Sequence, residues 1–163
     1  MNDPVALPGM DPIDRLAVLE AGLPGAAVRQ RRIAAPFDAV WRVIADLENT
    51  VPRYEPAVAR LRIVEERGEF LRLLVEDGSG REDPMDARLR PGWCLMQSAA
   101  VVVAFAARPL DGATLLAHLE HRRVRDAAPG GGGPGGGGPP DRDAALAKID
   151  EELRTIERLA TGV

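Results

Sequence analysis

The chain has 163 residues, of which 45% are hydrophobic and 28% charged, and its formal net charge is −4. This length and composition predict one globular domain, and the negative charge provides no basic field that would attract nucleic acid. The single cysteine, Cys94, excludes an intrachain disulfide framework and favours a reducing compartment. The longest apolar run, residues 99–107, is shorter than the roughly 20 residues of a membrane-spanning helix, so we expect a cytoplasmic protein without a membrane span.

Residues 1–26 are rich in proline and glycine and contain one short helical pattern of apolar residues. We expect a partly disordered leader that packs over the domain. The alternative is a helix that docks into the groove of a partner protein.

A strand followed by an amphipathic helix comes next. Residues 28–34 are typical of a short exposed strand, and residues 35–48 predict a helix with Pro36 in its first turn. Its apolar side chains recur at helical spacing: Phe37, Val40, Trp41, Ile44 and Leu47. A proline-bracketed turn over residues 49–56 then contains Tyr54.

Turn signals divide the middle of the chain into short strand candidates. They cover residues 59–65, 70–76, 85–89, 93–98, 101–108 and 114–124. With the first strand this makes about seven strands, and their hairpin-length connections predict an antiparallel sheet.

The last part of the chain predicts a flexible loop and then a long helix. Residues 129–140 contain only glycine and proline, which favours a flexible segment. Asp141 is a candidate N-cap and Gly162 a candidate helix terminator. Between them one apolar stripe requires a partner surface: Leu146, Ile149, Leu153, Ile156 and Leu159.

The order of these elements resembles a known superfamily. A strand, then Ala-Pro-Phe-Asp-Ala-Val-Trp-Arg-Val-Ile-Ala-Asp-Leu-Glu at residues 35–48, then a proline-bracketed turn with an aromatic residue, is similar to the opening of the START/Bet v 1-like (SRPBCC) superfamily. That superfamily includes polyketide cyclases and lipid-transfer proteins. The resemblance implies an α+β helix-grip fold over residues 27–163, with about seven curved antiparallel strands wrapped around the C-terminal helix and a ligand cavity between them.

No residue pattern predicts a metal site, a cofactor site or a catalytic residue. His118 and His121 are three positions apart on one strand, so their side chains point to opposite faces and cannot chelate one ion together. A Cys94–His121 dyad is conceivable, but a lone buried cysteine more often acts as a small hydrophobic residue.

Four residues are candidates for ligand binding. If the more apolar face of the last strand lines the cavity, His121 lies inside it or at its mouth. In the resembling fold, the connection that holds Tyr54 forms part of the pocket entrance. Trp93 and Met96 suit either core packing or pocket lining.

We therefore expect non-covalent carriage or sensing of a small hydrophobic or amphipathic ligand. One alternative is a protein-interaction module with a collapsed cavity, and the other is a polyketide cyclase or dehydratase that uses His121 as its acid–base group. Residues 101–107 are apolar on both faces, which predicts a homodimer or packing of the leader on this strand.

Overall fold

The computed structural model describes residues 9–123 and 141–163, and the predicted loop at residues 129–140 lies outside them. The predicted α+β helix-grip fold is confirmed. The elements follow in the order α1 (Pro12–Ala21), β1 (Ala27–Ile33), α2 (Phe37–Ala45), α3 (Leu47–Tyr54), β2 (Arg60–Arg67), β3 (Phe70–Glu76), β4 (Glu82–Arg90), β5 (Trp93–Gln97), β6 (Val101–Leu110), β7 (Ala113–Arg122) and α4 (Arg142–Thr161). Among these residues, no helix is long and apolar enough to cross a membrane.

The seven strands form one curved antiparallel sheet in the order β1-β7-β6-β5-β4-β3-β2. Strands β2 to β7 are paired with their sequence neighbours, as hairpin-length connections require. The last strand, β7, pairs with β1, so β1 forms one edge of the sheet and β2 forms the other. The helices α2, α3 and α4 therefore have one continuous inner face of the sheet to pack against.

Helix α4 supplies the centre of the inner core. Ile149, Leu153 and Ile156 are fully buried, and each such side chain contributes about 1.5–3 kcal/mol relative to exposure. Asp141 accepts a hydrogen bond from the Asp143 amide and caps the first turn. Gly162, with φ of 72°, ends the helix in the left-handed conformation that glycine adopts without strain.

The region between β1 and β2 differs from the prediction of one helix and a turn. Helix α2 ends at Ala45, and α3 then runs to Tyr54 with Pro52 inside it. The hydroxyl of Thr50 lies 2.7 Å from the carbonyl oxygens of Val43 and Asp46. This contact joins the two helices across the break, which allows α3 to bury a separate apolar face.

Helix α1 covers the outer face of the sheet. Leu16 is buried there in a second hydrophobic cluster with Ala26, Trp93, Val102, Ala104, Ala106, Ala117 and Leu119. The guanidinium of Arg15 lies 4.5 Å from the centre of the Trp93 ring, and Arg108 pairs with Asp11. Part of the leader thus covers the apolar outer side of β6.

Candidate ligand cavity

A cavity of about 330 Å³ lies between the inner face of the sheet and the helices α3 and α4. Most of its wall is apolar, formed by Val51, Ala57, Val58, Leu61, Val75, Met85, Met96, Ala100, Val101 and Val103. Polar side chains lie on the α3, α4 and β7 parts of the wall, and a few more lie on the connecting turns. The cavity therefore combines an apolar wall with a localised polar region, as small-molecule sites do.

Tyr54 forms part of the cavity wall at the end of α3, as the sequence predicts for a pocket residue. The residue is only 6% exposed, and its ring contacts Phe105 edge-on at 5.8 Å between centroids. The hydroxyl is buried and has no hydrogen-bond partner among the described residues. Burial, with the nearby Cys94 and Glu152, raises the pKa of Tyr54 well above its ordinary value, so the hydroxyl stays a neutral donor and acceptor.

The two faces of β7 are the reverse of the sequence expectation. Leu116, His118 and Glu120 face the inner core and the cavity, while Ala117 and Leu119 face α1. Both faces are covered by helices, and therefore the more apolar face did not identify the concave side.

The structure brings together two of the four predicted site residues. Tyr54 and Met96 line the cavity. Trp93 and His121 lie on the outer face, where Trp93 packs beneath Arg15 and His121 Nε2 is 3.1 Å from the Pro24 carbonyl oxygen. The expected placement of Trp93 and His121 at the cavity is therefore corrected.

His118 occupies the inner position that the sequence prediction gave to His121. Its side chain is 1% exposed and its ring stacks on Phe105 with 4.0 Å between centroids. Nδ1 lies 3.1 Å from the Ala104 carbonyl oxygen, to which it donates, and Nε2 lies 2.6 Å from the Glu152 carboxylate. Both ring nitrogens are thus held by protein atoms.

Lys148, the single lysine of the chain, joins this histidine to two further acidic residues. Its ammonium nitrogen lies 2.6 Å from carboxylate oxygens of Glu120 and Glu152 and 2.5 Å from one of Glu55. A lysine ammonium has three donors, and here each faces one carboxylate. We call His118, Lys148, Glu55, Glu120 and Glu152 the buried charge cluster.

The buried charge cluster contains three carboxylates and two basic groups. Burial alone would lower the pKa of His118, but the carboxylate of Glu120 at 3.6 Å and that of Glu152 at 2.6 Å raise it to about 9. Burial is the main cause that raises the pKa of Glu152 to about 7. Burial would also raise the pKa of Glu120, but the nearby cations of His118 and Lys148 lower it to about 2. The excess negative charge therefore favours a proton on Glu152.

Three members of the cluster also have the side chains that bind metal ions. Ligand atoms of His118, Glu120 and Glu152 lie within 4.8 Å of one another. The Lys148 ammonium already contacts both of these carboxylates. An internal cation thus supplies the positive charge that an ion would otherwise bring to this position.

Sequence analysis did not identify the buried charge cluster, although two local signals point to it. Lys148 and Glu152 are four residues apart on α4, and His118 and Glu120 are two apart on β7, so each pair shares a face. The meeting of these two pairs is a long-range contact that neither pattern predicts.

Comparisons with known proteins agree with this architecture. No family model matches the chain, and no curated protein sequence matches it. Among solved structures, one domain of the di-domain aromatase/cyclase StfQ from the steffimycin biosynthetic pathway superposes with a TM-score of 0.63 at 16% identity, covering 90% of this chain and 55% of that one. The Zhui aromatase/cyclase of Streptomyces sp. R1128 gives 0.52 at 18% identity, covering 83% and 93%.

A START superfamily protein from Mycobacterium smegmatis gives a TM-score of 0.50 at 18% identity, covering 84% of this chain and 94% of that one. At these identities the similarity establishes the fold alone. The chain therefore has the SRPBCC-like helix-grip fold.

Proposed function

We propose that this protein carries or senses a small hydrophobic or amphipathic molecule, held non-covalently in the cavity between the sheet and α4. The observation that carries this proposal is the buried hydroxyl of Tyr54, a residue of the cavity wall, which has no hydrogen-bond partner among the residues that the structure describes. Buried hydroxyl groups are normally hydrogen-bonded, so a ligand atom is a suitable partner. The volume of about 330 Å³ is near the lower end for ligand pockets, which favours a small molecule.

The two alternatives have less support. An interaction module with a collapsed cavity would leave no such volume between sheet and helix. The acid–base enzyme depended on His121, which faces the Pro24 carbonyl oxygen on the outer side of the sheet. Both observations favour binding over these alternatives.

Binding is tested with N-phenyl-1-naphthylamine, a neutral dye whose fluorescence increases in apolar sites. We expect a saturable increase with the wild-type protein. Val103→Trp places an indole in the cavity wall and should weaken dye binding by at least about tenfold, or about 1.4 kcal/mol. Val18→Trp is the matched control, because Val18 is 63% exposed on α1.

Two results would contradict the proposal. One is the absence of a saturable signal from the folded wild-type protein. The other is an equal loss of binding in Val103→Trp and Val18→Trp, since dye bound at the surface does not depend on the cavity.

A further inference from the structure

The hydrogen-bond donors of the buried charge cluster are already used within the protein. The Lys148 ammonium bonds to three carboxylates, and His118 bonds to Ala104 and Glu152. None of these donors is available to a ligand unless an internal contact breaks. Each such contact lies in a largely buried region, where its loss would expose a charge to an apolar surrounding.

The acceptors of the same region exceed its donors. The three carboxylates have about four lone-pair positions each, more than Lys148, His118 and the Ala57 amide can fill. Over the whole wall, five acidic side chains (Glu55, Asp77, Asp83, Glu120 and Glu152) face three basic ones (His118, Arg122 and Lys148). With Glu152 protonated, four carboxylates still face three basic groups, so a ligand that enters the cavity meets an excess of negative charge and unfilled acceptor positions.

Tyr54 is an independent indication that this polar region binds a ligand. Its hydroxyl is buried and has no hydrogen-bond partner in the described part of the chain. Burial is the main cause that raises its pKa, and Cys94, Glu152 and Glu55 lie near enough to raise it further. A ligand group that donates one hydrogen bond to a carboxylate can accept another from Tyr54. A hydroxyl group can do both, and an ammonium group can donate to the carboxylates and to the phenol oxygen.

From this arrangement we propose that the cavity selects amphipathic ligands whose polar end is a hydrogen-bond donor, a hydroxyl or an ammonium, and disfavours ligands whose polar end is an anion. This inference rests on the proposed function, because it concerns the ligand of the same cavity. A carboxylate or phosphate end would lie against Glu55, Glu120 and Glu152, and repulsion between charges is strong where solvent is excluded. The apolar wall accommodates the remainder of the ligand.

The test uses three amphiphiles with the same tail: octylamine, 1-octanol and octanoate. Each displaces N-phenyl-1-naphthylamine from the full-length protein at pH 7, where the amine is a cation and the carboxylate an anion. The equal tails make apolar burial the same for all three. We expect octylamine and octanol each to displace the dye at concentrations at least about tenfold lower than octanoate.

Two variants separate the contributions of the polar groups. Tyr54→Phe keeps the ring and removes the hydroxyl. The affinity for octanol should fall by about threefold to tenfold, the usual effect of one lost hydrogen bond. Arg122→Gln removes the exposed cation of the cavity wall and should leave the order of the three amphiphiles unchanged. Dye affinity is measured first for each variant, so that displacement is compared on the same scale.

The outcomes distinguish this inference from the proposed function. If octanoate displaces the dye from the wild-type protein at the same concentration as octylamine or octanol, this inference is wrong and the proposed function still stands. The same holds if the order of preference depends on Arg122, because the anion would then be recognised at that residue. A wild-type protein that does not bind the dye overturns the proposed function, and this inference with it.

Discussion

At the scale of single residues, the chain places its one lysine where an arginine would fit poorly. The chain has 21 lysine and arginine residues in total, and all except Lys148 are arginine. A compact ammonium directs three donors to three separate carboxylates, whereas a planar guanidinium is suited to parallel bonds with one or two. The position of Lys148 between Glu55, Glu120 and Glu152 therefore depends on the type of basic residue as well as its charge.

Replacement of this lysine should be costly. Lys148→Met removes one of the two cationic groups that contact Glu152, whose side chain is 2% exposed, and leaves only His118. Loss of one partner from a buried ion pair costs about 3–5 kcal/mol. We expect about 3 kcal/mol here, measured by urea denaturation, because Lys148 itself is 29% exposed and solvent screens part of its interaction.

Arg154→Met on the same helix is the matched control. Arg154 pairs with Glu151 at the surface, and such pairs contribute less than about 1 kcal/mol. Equal losses of unfolding free energy in Lys148→Met and Arg154→Met would show that the cluster does not stabilise the fold.

At the scale of elements, sequence periodicity predicted most of the fold. The seven strands and α4 follow from turn signals, alternation and one apolar stripe. The helix α3 was not predicted, because Pro52 and Pro56 were interpreted as limits of a turn. The buried residues Leu47, Thr50, Val51 and Tyr54 nevertheless follow the spacing of a helix face. Tertiary burial of that face outweighed the unfavourable proline.

The candidate site was less predictable than the fold. Tyr54 was chosen because the resembling fold places its connection at the pocket entrance, and Met96 because it suited either core packing or pocket lining. His121 was chosen instead of His118 because the more apolar face of β7 was expected to line the cavity. Both faces of β7 are covered, so hydrophobicity did not identify the inner one. The contact between His118 and Glu152 joins residues 34 positions apart, which no local pattern encodes.

Removal of α1 tests the role of the outer hydrophobic cluster. A variant that lacks residues 1–26 loses Leu16 and Ala26 and exposes Trp93, Val102 and Leu119 on the sheet. Contiguous apolar surface of this kind promotes association. We expect dimers or larger species that increase with concentration, measured by size-exclusion chromatography with light scattering.

The full-length protein at the same concentrations is the control for that experiment. A truncated protein that stays a monodisperse monomer with unchanged far-ultraviolet circular dichroism would contradict the prediction. It would show that the outer face of the sheet needs no cover.

At the scale of the whole molecule, the sheet separates two hydrophobic layers of different character. The outer layer, between the sheet and α1, is built around aliphatic residues and Trp93. The inner layer contains the larger core, the cavity and the buried charge cluster. Titration of the cluster therefore changes the stability of the layer in which the C-terminal helix packs against the sheet.

The free energy of unfolding should decrease as pH rises from about 5 to 9. The pKa of Glu152 rises from 4.5 to about 7 on folding, and that of His118 from 6.5 to about 9. Both groups hold more protons in the folded state than in the unfolded one, so their contribution is complete at low pH. The contribution of Glu152 is lost as pH rises through about 7, and that of His118 through about 9. Glu120 acts in the opposite sense, but with its pKa lowered from 4.5 to about 2 its contribution is lost only in acid.

Urea denaturation of the wild-type protein and His118→Gln at closely spaced pH values measures this dependence. Glutamine carries no charge in this range, so the variant should lose the part of the slope between pH 6.5 and 9 that comes from His118. The comparison concerns the shape of the two curves, so a lower overall stability of the variant does not affect it. Parallel curves for the two proteins above pH 6.5 would mean that His118 is not charged in the folded state. His118 would then be neutral and accept a hydrogen bond from a protonated Glu152.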